Sequence, residues 1–275
     1  MRSIRIMILL MALVLCSCAS QKHKNIAYLN TEAPQEDLKL NVFEPRDLES
    51  KRPVVIFVHG GNWNSGNKNT YGFLGRNLAK HDVITVIPSY TLSPQANFDT
   101  MASQVAQAFI WTRDHISEYG GDPAQIYLMG HSAGGHLIAL VCTNPKYLDN
   151  PKAIKGVILN DAAGLDMYTY LQEHPPTIAN NYRSTWTTNP ELWKQASPVY
   201  HLSEEMPPFM IYVGTKSYES IIRQNATFLN ALQEYQPDVT PIYLNKKHVP
   251  MMTQYFWPWS NRYDEVLDFI FKEKH

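Results

Sequence analysis

Apolar and polar positions along the chain fall into a repeating succession of strand-like and helix-like segments. Leu38–Pro45 alternates apolar and polar residues, as a half-exposed strand does. Val54–Val58, inside "RPVVIFVHGG", is a continuous apolar run closed by glycines, the pattern of a strand buried on both faces. Tyr71–Lys80 has helical spacing, and Val83–Pro88 is a second buried strand. Met101–Tyr119 is a long helical pattern, and the glycine pair and proline of residues 120–123 predict a turn. Gln125–Met129 and Ile154–Asn160 predict strands on either side of a helix over Gly134–Val141. Pro208–Gly214 and Val239–Leu244 predict the last strands, with helices over Ser220–Tyr235 and Tyr263–Phe271. Between them, Asp166–Leu202 is rich in Pro, Tyr and Trp and has no strand pattern. It is expected to form a small cap, about residues 166–202, over one end of the sheet.

Strands that alternate with helices imply an α/β fold, with a mostly parallel sheet and helices on both faces. In such sheets ligands bind beyond the carboxyl ends of the strands. A length of 275 residues suits a single such domain. The chain is 44% hydrophobic and 18% charged with a formal net charge of −1, so it has no electrostatic attraction for nucleic acid or anionic lipid.

The first residues follow a different pattern. Arg2 and Arg5 precede an apolar run, Ile6–Leu15, that is too short to span a bilayer and has the shape of a signal peptide. It ends in Leu15-Cys16-Ser17-Cys18, which resembles a bacterial lipobox. Cys18 is the expected lipidation site, because a small residue precedes it. The expected organisation is a signal peptide over residues 1–18, a polar tether over 19–24 and a single α/β domain over 25–275 that includes the cap. A lipid anchor would place the protein in the cell envelope, periplasmic or at the outer membrane; an ordinary secretory signal is the alternative. Only Cys142 then remains in the folded part, so neither a disulfide framework nor a Cys-rich metal site is expected.

The candidate chemistry begins at "YLMGHSAGGHLIAL", Tyr127–Leu140, where Gly130-His131-Ser132-Ala133-Gly134 matches G-x-S-x-G. The pattern alone is weak: roughly one chain in ten of this length holds it by chance. Its setting between a strand and a helix is what a nucleophilic serine requires. The turn is too sharp for side chains beside the serine, so the flanking positions need glycine. A second element, His59-Gly60-Gly61-Asn62-Trp63, follows directly after a strand. A glycine pair lets backbone N–H groups approach a developing oxyanion, and Gly61, Asn62 and Ala133 are the candidate donors.

Together "VIFVHGGNW", "PSYTLSPQANF", "YGGDPAQIYLMGHSAGGHLIAL" and "PPFMIYVG" resemble the α/β-hydrolase superfamily. The closest branch is that of esterases with an HGGxW loop: hormone-sensitive-lipase-like, feruloyl-esterase-like and arylformamidase-like proteins. The similarity covers about Leu38 to Phe271. It implies an eight-stranded sheet, no cofactor and a Ser–His–acid triad in that chain order. It also implies a base in the loop after the last strand, where "LNKKHVPMM" offers His248. His136, His174, His201 and His275 do not match that position.

The acid departs from the pattern. The resemblance implies an Asp three residues after Gly214, and that position holds Ser217. Glu219, two residues further, is the candidate acid, with Asp166 as the alternative; "ILNDAAGLD" also offers Asp161, and a Ser–His dyad without an acid stays open. Two tryptophans are pocket candidates, Trp63 and Trp257, the second from the aromatic stretch "QYFWPWSNRY". The expected activity is hydrolysis of a small or medium carboxylic ester through an acyl-enzyme, with an acylated carbohydrate or a phenolic ester as candidate substrates. An arylformamidase or amidase reaction uses the same machinery. A hydrolase-like binding lipoprotein with weak or no catalysis is the reading from a different class.

Overall fold

The computed structural model describes residues 20–29, 38–46 and 50–272. The signal segment, Cys18 and His275 lie outside the described residues.

An eight-stranded sheet forms the centre, in the order β1-β2-β4-β3-β5-β6-β7-β8. The chain runs through β1 (Ser20–Ala27), β2 (Lys39–Pro45), β3 (Arg52–Val58), α1 (Gly72–Ala79) and β4 (Ile84–Pro88). It continues through α2 (Phe98–His115), β5 (Gly121–His131), α3 (Ala133–Thr143) and β6 (Ile154–Asn160). Three short helices follow, α4 (Met167–Glu173), α5 (Tyr182–Trp186) and α6 (Pro190–Gln195), and these build the cap. Then come β7 (Phe209–Gly214), α7 (Glu219–Leu232), β8 (Ile242–Leu244), α8 (His248–Thr253) and α9 (Asn261–Phe271). β1 and β2 pair antiparallel, as do β2 and β4, and every other pairing is parallel.

The continuous apolar runs are explained by burial on both faces. In β3, Val54, Ile56 and Val58 point to one side and join α2, α3 and α7 in the larger core. Val55 and Phe57 point to the other and meet Leu74 and Leu78 of α1 and Tyr263, Val266 and Ile270 of α9. Alternate side chains of one strand thus feed two separate cores.

The tether expected over residues 19–24 is corrected by β1, which begins at Ser20 and lies antiparallel against β2. Its polar sequence has a physical reason. It is an edge strand with exposed Gln21, Lys24 and Asn25, and its register shifts between His23 and Ile26. Charges and an irregular register on an edge oppose pairing with another chain. The turn expected at residues 120–123 contracts to Gly120, left-handed at φ 76°, and β5 starts directly after it.

One of the ties between the cap and the rest of the fold is a buried histidine. His136 of α3 accepts a hydrogen bond from the Trp63 indole at 3.1 Å and donates from Nε2 to the Ala196 carbonyl at 2.8 Å. Trp186 of the cap packs edge-on against Trp63, with ring centroids 4.7 Å apart.

Candidate active site

Ser132 sits at the tip between β5 and α3 with φ 55° and ψ −124°. This is a left-handed φ that a residue with a Cβ adopts only at a cost of roughly 1–3 kcal/mol, and such strain concentrates at functional sites. The flanking glycines are sterically obligatory. A Cβ on Gly134 would lie 2.0 Å from the Val58 carbonyl oxygen, and one on Gly130 would lie 2.6 Å from the Gly134 carbonyl group. The G-x-S-x-G spacing is therefore the record of one tight crossing between α3 and the end of β3.

The Ser132 hydroxyl lies 2.8 Å from Nε2 of His248, the first residue of α8. Nδ1 of the same ring lies 2.5 Å from Oδ2 of Asp161. With Nδ1–H donating to the carboxylate, Nε2 is the acceptor that faces the serine. Asp161 follows directly after β6, fully buried, at φ 51°. Its Oδ1 accepts from the Gly214 N–H at 2.9 Å and its Oδ2 accepts from the Ser217 hydroxyl at 2.5 Å.

This corrects the expected acid. Glu219 is exposed as the first residue of α7, where a carboxylate complements the helix N-terminus. Asp166 caps α4, accepting from the Thr169 N–H at 3.1 Å. Neither contacts His248. The sequence did contain the pointer, an aspartate directly after a buried strand, but "ND" followed by two alanines carries no motif to single it out.

His131, the residue before the nucleophile, was not singled out by sequence. Its ring stacks on His248 with centroids 4.6 Å apart, and its Nε2 donates to the His248 carbonyl at 3.2 Å. Burial, reinforced by the neighbouring His248, lowers its pKa to about 4, so the stacked ring is neutral. The ring and backbone of His248 are thus held from below as well as through Asp161.

The loop after β3 passes directly beside the serine. A Cβ on Gly60 would lie 3.0 Å from the Ser132 Cβ, so Gly60 joins Gly61 in needing no side chain. Gly61 has φ 127° and Asn62 φ 51°. Among the described residues the N–H groups of Gly61 and Asn62 donate to no protein acceptor. The Ala133 N–H opens α3, where no intrahelical acceptor exists. These are the three donors expected from the sequence; Gly61 and Asn62 line the cleft together with Ser132, and Ala133 follows the serine directly.

The cleft over this group has a volume of about 610 Å³, within the usual range for small-molecule sites. It is lined by the turns after β3, β5, β6, β7 and β8 and by the cap, so it lies at the carboxyl ends of the strands. Tyr71, Phe73, Tyr170, Tyr182, Tyr218 and Phe256 supply its aromatic surface. No Asp, Glu, Lys or Arg lines it among the described residues. Trp63 does line the cleft, buried beneath it. Trp257 does not, and that expectation is corrected. A short turn over Gln254–Phe256 sends Phe256 against Phe73, with centroids 4.0 Å apart, and leaves Trp257 exposed beside Trp259. Among the described residues, no three His, Cys, Asp or Glu side chains gather as a metal ion would need.

A hydroxyl, an imidazole and a buried carboxylate in line, next to unused backbone N–H groups, form the arrangement needed for proton removal from a serine and stabilisation of an oxyanion. Known proteins similar to this chain are esterases. The family model described as BD-FAE matches residues 40–232. Isoprenylcysteine alpha-carbonyl methylesterase ICME of Arabidopsis thaliana is 26% identical over 94% of this chain and 63% of its own length. Esterase LipQ of Mycobacterium tuberculosis is 30% identical over 77% of this chain and 54% of its own. The chain thus spans only part of the length of the relatives it matches. A phosphonate-inhibited esterase B from Lactobacillus rhamnosis superimposes with a TM-score of 0.76 at 20% identity. That alignment covers 93% of this chain and 87% of the other and shows the α/β-hydrolase fold.

Proposed function

The chain belongs to the BD-FAE family, and from that premise we propose that it is a serine carboxylic-ester hydrolase working through an acyl-enzyme. The carrying observation is the continuous line from the Ser132 hydroxyl through His248 to the buried Asp161, at 2.8 and 2.5 Å. Ser132 attacks the ester carbonyl while His248 takes its proton. Asp161 holds the ring in the tautomer that accepts at Nε2 and stabilises the imidazolium. The N–H groups of Gly61, Asn62 and Ala133 receive the oxyanion. His248 then protonates the leaving alcohol, and water repeats the sequence in reverse to release the acid.

The cleft narrows the substrate. Its walls are mainly aromatic and apolar, with neutral polar side chains such as Asn62, Ser220 and Gln224 and no charged one, so no cation there pairs with a carboxylate or phosphate on the substrate. A buried, unpaired charge costs several kcal/mol. The substrate is therefore an uncharged small or medium ester, and a phenolic ester or an acylated carbohydrate fits that description. An acid donated from the end of β6 removes the main support for a binding-only protein, which was the missing carboxylate at position 217.

A fluorophosphonate probe tests the reading. Labelling confined to Ser132, together with p-nitrophenyl butyrate hydrolysis that disappears in Ser132→Ala, is the expected result. An unlabelled, inactive wild type that is fully folded overturns it. Attachment to the cell envelope through a lipid on Cys18 belongs to the same proposal. Incorporation of a palmitate analogue by the full chain, absent in Cys18→Ser, is its measurement.

A further inference from the structure

Helix α7 turns one face to the cleft. Tyr218, just before the helix, and Ser220, Ile221 and Gln224 line it, at the three- and four-residue spacing that stacks side chains on one stripe. Glu219 and Arg223 fall between them and are exposed. Gln224 differs from the other three. It is only 6% exposed, and it still reaches the cleft. Its Oε1 accepts from the Asp166 N–H at 3.0 Å. A backbone N–H only donates, so this bond fixes which end of the amide is oxygen and leaves the N–H₂ as the other end. Among the described residues that Nε2 donates to no protein acceptor, and it is not enclosed by protein either. It opens on the cleft that the residue lines.

The donor is held in place from several directions. Asn225, the next residue of α7, donates to the Ala162 carbonyl at 2.7 Å and to the Ile221 carbonyl at 2.8 Å. Asp166, whose N–H holds Gln224, caps α4 with its own side chain. The segment from Ala162 to Asp166 is bonded in turn to the nucleophile turn, because the Ala163 N–H donates to the Ser132 carbonyl at 3.2 Å. The amide therefore stands at a fixed place relative to the reacting serine. Two buried apolar residues of the lining adjoin it: Ile221, one turn back on the same face, and Met167, which follows Asp166. A rigid amide donor among apolar side chains is left unsatisfied until an acceptor arrives.

We propose that Gln224 is a specificity-determining residue whose Nε2–H₂ donates to a neutral oxygen of the substrate outside the ester group under attack. The preferred esters then carry an ether, a hydroxyl or a second carbonyl a short chain away from the scissile bond. The inference rests on the ester-hydrolase reading given above.

The oxygens of the scissile group already have partners in that reading. Gly61, Asn62 and Ala133 receive the carbonyl oxygen, and His248 protonates the leaving one. The Gln224 amide is left for a different oxygen. A neutral acceptor suffices, since no charged side chain lines the wall to pair with an anion. A hydrocarbon chain in the same place covers the amide without bonding it, and a site built to hydrogen-bond a substrate disfavours the analogue that lacks the partner.

The experiment compares esters that differ only by oxygen for methylene. For the acyl half, p-nitrophenyl hexanoate is set against its three ether isosteres, with oxygen in place of carbon 3, 4 or 5 of the chain. For the alcohol half, 3- and 4-ethylphenyl acetate are set against 3- and 4-methoxyphenyl acetate. The kcat/KM of each ether over its hydrocarbon partner is measured in wild type, Gln224→Glu and Gln224→Met at about pH 8. Comparing proteins on the same pair cancels the intrinsic reactivity of the esters. Glutamate keeps an oxygen for the Asp166 N–H and loses the donor, whereas methionine loses both. For at least one pair the ratio is expected to fall by about 5-fold or more in both variants. The pair that responds places the oxygen in the acyl or the alcohol half. Ratios within about 2-fold of wild type for every pair in Gln224→Glu overturn the inference and leave the residue only a brace for Asp166. A fall in Gln224→Glu with none in a folded Gln224→Met is repulsion by the new charge and overturns it as well. If Gln224→Met does not fold, as thermal melting would show, Gln224→Glu decides alone. Wild type that is labelled at Ser132 by a fluorophosphonate and hydrolyses the hexanoate, but shows unmoved ratios, separates failure of this inference from failure of the esterase reading.

Discussion

The turn that carries the nucleophile and the turn that carries the acid lie side by side and solve the same problem in different ways. Both follow a buried parallel strand, and both place a non-glycine residue at positive φ, 55° at Ser132 and 51° at Asp161. They are also joined: the Ser132 N–H donates to the Asn160 carbonyl and the Ala163 N–H donates back to the Ser132 carbonyl. The difference is where the constraint comes from. Ser132 is fixed by its own neighbours in sequence, glycines whose missing Cβ atoms let α3 pass within contact of β3. Asp161 is fixed by residues more than fifty positions away, Gly214, Ser217 and His248. Local constraint leaves a motif, and long-range constraint leaves only a residue.

The comparison can be broken at its strongest point first. Ser132→Ala removes the nucleophile and is expected to lower kcat by roughly 10⁴-fold or more, with melting behaviour unchanged because the turn is held by Gly130 and Gly134. A retained rate would put the chemistry elsewhere. Asp161→Asn should cost about 10³- to 10⁴-fold, while Glu219→Gln stays within about 2-fold of wild type in kcat/KM. Equal losses in both would erase the distinction between the two carboxylates. Gly134→Ala should destabilise the whole domain by more than about 3 kcal/mol, since the clash is with backbone and has no soft side chain to yield. Chemical denaturation of the variant is the measurement, and a mild effect would show that the crossing can relax.

The nucleophile side also contributes a pH dependence. His131 and His136, on either side of Ser132, are lowered to about 4 by burial. Both stay neutral in the fold to about pH 4, whereas in the unfolded chain they protonate from about pH 6.5. Stability is therefore complete above pH 6.5 and falls as the pH drops through that window, by up to about 3 kcal/mol for each ring. A melting temperature that stays flat from pH 7 to pH 4.5 would contradict this.

The same contrast explains what the sequence disclosed. The fold was legible because continuous apolar runs such as Val54–Val58 state two-sided burial directly, and glycine-rich turns state their geometry. His248 was legible because it falls where the resemblance implies a base. The acid was not, because the resemblance points to position 217, and only the folded chain reveals that Asp161 reaches the same imidazole nitrogen from the neighbouring strand. β1 was missed for a related reason. An edge strand needs only one partner and little burial, so Ser20–Ala27 carries too few apolar residues to resemble a strand. Trp257 failed on direction alone, since one residue of chain rotation decides which ring of "YFWPW" enters the cleft and which meets water.

His136 has a consequence for how substrate is admitted. Its two ring nitrogens bind the loop beside the nucleophile and the cap to the same helix, and Trp186 seals the join from the cap side. A roof fastened in this way is part of the wall and not a flap that a lipid–water boundary would lift. On the proposed ester hydrolysis, the protein should therefore act on dissolved monomers at full rate, with neither a lag nor a jump in velocity as an ester passes its solubility limit. Its selectivity would then be set by the fixed shape of the entrance, much as a sieve sorts by its mesh.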